Sequence, residues 1–239
     1  MIGLWLRDLQ TSLPGENVYV GTDIVESYFP PKSRWPSNFT LQIQSITKKW
    51  PKAFEESFDL VHQRFALPAA GKDGVRDALH GLVSLVKPGG WIQFVEADHS
   101  IFTGPAMGEL FKLVEEVFGA MNVGHDHAKD VKGMLEEEGL EVVEERIVDV
   151  PLGAKNPSPD MGRKSAIAFA MGADGIVGAA RRTSNELLLW YETERVLDTS
   201  TCTFSQERLD SLMSRIEREL KEEGGIHRLY IVWGRRPFA

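Results

Sequence analysis

Three short stretches carry side chains able to move protons or grip a polar ligand. FDLVHQRF, residues 58–65, ends an apolar run on His62, Gln63 and Arg64. WIQFVEADH, residues 91–99, ends another on Glu96, Asp98 and His99. Histidine titrates near neutral pH, so His62 and His99 are candidate proton acceptors, Arg64 is a candidate donor to a polarised oxygen, and Glu96 is a further base. The third stretch, GHDHAKD, residues 124–130, groups His125, Asp126, His127 and Asp130. Its His-x-His spacing brings no third ligand at the usual interval, so no metal is expected. Asp126 reads better as a helix N-cap, and His125 as a substrate contact.

These residues need elements that bring them to one edge. A first helix is expected over 4–13, stopped by Pro14-Gly15. Strands are expected over about 17–22 (NVYVGTDI), 38–46 (NFTLQIQSI, with Phe39, Leu41 and Ile43 alternating), 58–65, 91–98, 140–151 and 226–237. Helices are expected over 72–86, 105–122 and 127–138. Lys87-Pro88-Gly89-Gly90 reads as a turn that breaks a helix before a strand. Two helical stretches follow, 163–199 and 204–223, the first carrying Gly172, Gly175 and Gly178 as points of bending. Strands alternating with helices predict an α/β fold with a mostly parallel sheet, whose ligands sit at the strands' C-terminal edge. The domain reading is an α/β core over 1–154, a helical lid over 155–224 and a last core strand over 225–239.

Composition narrows the classes. The net charge of −8 over 239 residues gives no basic face for nucleic acid. No apolar run has membrane-spanning length. Cys202 is the single cysteine, so no intrachain disulfide forms, which fits a cytoplasmic protein. It has no local sign of activation as a nucleophile.

VYVGTDI, FTLQIQSI, FDLVHQRF, LVKPGGWIQFVEAD and RLYIVWGRRP, taken together, resemble the class I S-adenosylmethionine-dependent methyltransferases, in their fungal secondary-metabolism, LaeA-like branch. The resemblance runs from Leu4 to nearly the end of the chain. It implies a Rossmann-like sandwich with an antiparallel last strand. It also implies S-adenosylmethionine as cofactor, with Asp23 at the end of a strand meeting the ribose hydroxyls. Ser45 stands where the family's adenine-binding acid is usual, flanked by Ile24 and Ile46, and His62 lies where cofactor and acceptor meet. The family's D-x-G-x-G-x-G loop is represented only by its end, with Gly3 as the last glycine. The expectation is therefore a sheet lacking its usual first strand, with a degraded cofactor site. Three outcomes follow for the two strands left facing each other: direct pairing, a strand from a second copy or a partner chain, or a longer native chain.

The resemblance leaves three readings. One is transfer of a methyl group to O, N or S of a small molecule. The second is a cofactor-independent cyclase or pericyclase using His62, Arg64 and His99 as donors. The third is a non-catalytic partner protein. Gln63, Glu96, Phe102, His125, Trp190 and Tyr191 are the candidate substrate contacts, and Trp91 and Phe94 further candidate lining. No cofactor is expected if loss of the glycine loop abolishes binding.

Overall fold

The computed structural model describes residues 4–120, 122, 127–181 and 203–238. Gly3, His125, Asp126, Trp190, Tyr191 and Cys202 fall outside them. The described strands are β1 (Tyr19–Asp23), β2 (Phe39–Ile43), β3 (Phe58–Arg64), β4 (Val86–Asp98), β5 (Glu141–Leu152) and β6 (Gly225–Arg235). The described helices of seven residues or more are α1 (Leu4–Ser12), α2 (Gly71–Val83), α3 (Pro105–Ala120), α4 (Val131–Glu137), α5 (Pro159–Arg181) and α6 (Gln206–Glu222).

β3, β4, β6 and β5 form one sheet in that order. β3 and β4 are parallel, and β6 runs antiparallel to both β4 and β5. Every strand of this sheet except the last thus points the same way, as the α/β reading requires. β1 and β2 pair in parallel as a separate two-stranded sheet. The direct pairing considered for the two facing strands does not occur: β1 and β3 each keep an edge that no described strand occupies.

Apolar periodicity accounts for the helices. α2 presents Val75, Ala78, Leu79, Leu82 and Val83 on one stripe. That stripe packs with Ile92 and Phe94 of β4, Leu135 of α4 and Val232 of β6 in a first core. A second core joins α3, α5 and α6 through Met107, Leu113, Val177, Leu212, Ile216 and Leu220. α5 runs unbroken through Gly172, Gly175 and Gly178, so these glycines do not bend it as expected.

The Lys87-Pro88-Gly89-Gly90 segment corrects the turn reading. It lies inside β4, and α2 has already ended at Val83. The parallel register with β3 shifts between Phe58 and Leu60, opposite this stretch. Gly89, at φ +78, donates its N–H to the Arg236 carbonyl at 3.0 Å, while Arg236 donates back to Gly90 at 2.9 Å. The segment is therefore a glycine-bearing irregularity within a strand, in the sense of a bulge. A Cβ on Gly89 would run into the Phe238 ring.

Glu219 ties α6 to the start of α3. Its carboxylate is buried and accepts the N–H groups of Ala106 at 2.7 Å and Met107 at 3.0 Å. Those are unpaired donors at the start of α3, where negative charge also suits the helix dipole. Gly104 leaves room for the carboxylate, since a Cβ there would strike it. Glu219→Ala is expected to lower stability by about 2 to 4 kcal/mol, because two buried N–H groups lose their acceptor. Urea unfolding at neutral pH measures this, and a loss below about 0.5 kcal/mol would contradict the role.

Candidate functional site

The C-terminal ends of the strands open onto two separate recesses, and the sequence candidates divide between them. The first is a cleft of about 410 Å³ between β1 and β3, lined by Trp5, Thr22, Asp23, His62 and Arg64 among others. Trp5 of α1 stacks on the His62 imidazole, with centroids 3.8 Å apart and planes 8° from parallel. His62 and Gln93 face each other across the β3–β4 ladder, and their Nδ1 and Oε1 are 3.0 Å apart. With the amide oxygen there, Nδ1 carries the proton and Nε2 keeps a lone pair. Nε2 is buried without a hydrogen-bond partner among the described residues. Burial lowers the His62 pKa to about 4. The Gln93 hydrogen bond opposes that shift, and the Arg64 charge adds to it.

Asp23 ends β1, and its Oδ1 accepts the Val25 N–H at 2.9 Å, which fixes the bend leaving the strand. The cleft therefore offers two acceptors, the Asp23 carboxylate and the His62 lone pair. That set suits a ligand rich in O–H and N–H donors, such as a ribose with an amino-bearing base. The residues present thus fit a nucleoside-containing cofactor. Ser45 and Ile46 lie away from this cleft. Ser45 pairs with the Thr47 hydroxyl at 2.8 Å, and Ile46 packs on the first core and lines another recess with Trp50. Ile24 sits in the bend after Asp23, outside the cleft's lining.

The second recess is a cavity of about 460 Å³ between the strand ends and helices α3 and α5. Its walls are aromatic: Phe65 after β3, Phe111 and Phe118 of α3, and Phe169 of α5. Its polar side chains are Glu96, His99, His127, Ser165 and His227. Glu96 is only 2% exposed. Its Oε1 accepts Gln63 Nε2 at 2.7 Å and the N–H groups of Ala66 at 3.2 Å and Leu67 at 3.1 Å. Its Oε2 lies 3.1 Å from His127 Nε2. An unmatched buried carboxylate would cost several kcal/mol, and these four partners remove that cost. Gln63 and Glu96, both read as substrate contacts, therefore bind each other, and only Glu96 reaches the cavity wall.

His99 follows the Asp98 turn, in which Asp98 Oδ1 accepts the Ser100 N–H at 2.9 Å. Its ring meets Phe111 edge-on at 5.2 Å and lies 6.4 Å from His227. The ladder pairs Asp98 with Arg228, so one step further His99 stands opposite His227. Burial lowers the His227 pKa to about 4. Phe102 is exposed outside this cavity and covers Gly108 on α3. Trp91 is partly exposed beside Arg235, and Phe94 is core, so neither lines either recess.

His227 lies in the strand expected over 226–237 and is not among the sequence candidates. The signal was its position. β6 is antiparallel, so its first residues lie where the parallel strands end. A polar residue at the start of the last strand therefore belongs to the ligand edge.

No family model matches the chain. Several curated fungal proteins resemble it over nearly its whole length. N-methyltransferase gliN of Aspergillus fumigatus is 33% identical, over 98% of this chain and 79% of that protein. Methyltransferase psoC of the same species is 32% identical, over 98% and 79%. N-methyltransferase sirN of Leptosphaeria maculans is 32% identical, over 98% and 78%.

His62 of the cleft and His227 of the cavity each carry a pH dependence of stability. Each protonates near 6.5 when unfolded and near 4 in the fold. The unfolded chain thus binds more protons between those values, and stability falls as pH drops from about 6.5 to about 4. The loss is on the order of 1–3 kcal/mol for each imidazole. Urea unfolding at pH 7 and pH 4.5 is expected to show a smaller difference for His62→Phe and for His227→Phe than for the unaltered chain. An unchanged difference in either variant would contradict the buried-neutral assignment.

Proposed function

This chain belongs to the fungal methyltransferase family that includes gliN, psoC and sirN, and on that premise we propose that it transfers a methyl group from S-adenosylmethionine to a nitrogen of a small molecule. The choice of nitrogen rests on gliN and sirN being N-methyltransferases. The observation that carries the reading is the pairing of an acceptor-lined cleft with an aromatic cavity at neighbouring strand ends. When bound, the sulfonium cofactor supplies an electrophilic methyl group.

The chain's own residues do the rest. Asp23 accepts the ribose hydroxyls, and His62 Nε2 accepts a further donor from the same ligand. Arg64, on the rim of that cleft, stays outside the aromatic cavity. The cavity walls exclude water from the acceptor and hold its apolar body. Proximity and alignment then supply much of the rate, as in any in-line displacement between two bound reactants. Of the three residues first read as catalytic, His62 serves the cofactor side and His99 the acceptor side. The open edges of β1 and β3 favour pairing with a further strand, from a second copy or a partner chain. Among the described residues no helix is long and apolar enough to cross a membrane.

Calorimetric titration of the full chain with S-adenosylmethionine and S-adenosylhomocysteine tests the cofactor side. Micromolar binding is expected, weakened at least tenfold (about 1.4 kcal/mol) by Asp23→Ala through loss of charge-assisted hydrogen bonds. A folded, monodisperse protein that binds neither compound would overturn the reading.

A further inference from the structure

We propose that the aromatic cavity receives a neutral aromatic compound bearing an N–H group, and that His227 is the residue that accepts its proton. The chemistry of the acceptor rests on the methyl-transfer reading, while the binding part stands on the cavity alone. Size and wall material come first. A volume of about 460 Å³ suits a molecule of one or two rings, and Phe65, Phe111, Phe118 and Phe169 offer edges and faces to such rings.

Charge is the second constraint. Neither lysine nor arginine lines the cavity among the described residues. Glu96 is its only carboxylate there, and both oxygens are already engaged, by Gln63, two backbone N–H groups and His127. An anion would enter without a counter-charge. A cation would displace protein donors from Glu96 to gain one. A neutral ligand avoids both costs.

His227 is the polar group left to meet it. It stands at the start of β6, its ring edge-on to Phe169 at 5.3 Å and tilted 6.0 Å from Phe65. Neither ring nitrogen makes a hydrogen bond to a described residue. The titratable groups that share the cavity wall with it are His99, from the end of β4, and the Glu96–His127 pair, while the adjacent Arg228 is paired with Asp149 of β5. Val150 on β5 and Phe169 on α5 bring no charge. Burial keeps the imidazole neutral at physiological pH, with an accepting lone pair. As the substrate nitrogen is methylated, its N–H bond breaks with the electron pair left on nitrogen. The proton goes to the imidazole, and the imidazolium releases it to solvent once the methylated product has left the cavity.

The test uses indole and N-methylindole, which share rings and differ in the N–H, with benzylammonium and benzoate as charged counterparts. Binding to the full chain is followed by NMR of imidazole nitrogens, beside calorimetry. Indole is expected to shift the His227 nitrogens and to bind at least fivefold more tightly than N-methylindole. His227→Phe is expected to bind indole about tenfold more weakly and N-methylindole unchanged. His227→Gln, which keeps a hydrogen-bonding group, provides a second variant if the first fails to fold, and should retain part of the preference. Equal binding of the two indoles, tighter binding of either charged compound, or no binding of any would overturn the proposal. The titration with S-adenosylmethionine is separate, so failure of the methyl-donor reading and failure of this one are distinguishable.

Discussion

A buried carboxylate organises the ligand edge of this protein. Glu96 sits near the end of β4, almost wholly out of water, and draws its partners from three parts of the chain. Gln63 comes from β3, Ala66 and Leu67 from the segment leading into α2, and His127 from the segment before α4. The cost of leaving such a group unpaired is large compared with the net stability of a domain, so these four contacts form together or the edge does not form. The two recesses meet at this joint. Gln63 reaches inward to Glu96 while its neighbours His62 and Arg64 face the cleft beside β1. His127 reaches the same carboxylate from the wall of the aromatic cavity.

The recesses differ in chemistry because the strand pattern divides the side chains by face. Alternation along β3 sends His62 one way and Gln63 the other. The cleft then holds two acceptors, a carboxylate and an imidazole lone pair, beside the Thr22 hydroxyl and the Arg64 guanidinium. The cavity holds aromatic rings, imidazoles and a carboxylate whose bonds are already made. Donor-rich and ring-bearing ligands are thereby sorted to opposite sides of the strand end. A reaction that joins a polar nucleoside cofactor to an apolar acceptor needs that separation. The helical layer completes it, since α3 and α5 form the far wall of the cavity and Glu219 ties α6 to the start of α3.

Much of the fold was legible, because strand alternation and helical periodicity are local signals. β3, α3, β5 and β6 lie within a few residues of their expected bounds. Lys87-Pro88-Gly89-Gly90 misled because proline and glycine mark turns in isolation, whereas here the tail beyond β6 bonds to them and holds them in a strand. The site was only partly legible. Asp23 and His62 share a cleft, as their places at strand ends implied. His99 and Glu96 belong to the other recess, which sequence spacing alone could not show. Ser45 bonds locally to Thr47 and so turns away. His227 was hidden because its place depends on a pairing between residues 98 and 228, a contact no local pattern encodes.

Transfer of an isotopically labelled methyl group tests the central claim most directly. The full chain would be incubated with S-adenosylmethionine carrying a carbon-13 methyl and with a set of aromatic amines, amides, phenols and thiols. The account predicts that the label appears at the chemical shift of an N-methyl group, on an aromatic N–H compound. Label appearing only on oxygen or sulfur, or no transfer by a protein that binds the donor, would contradict it.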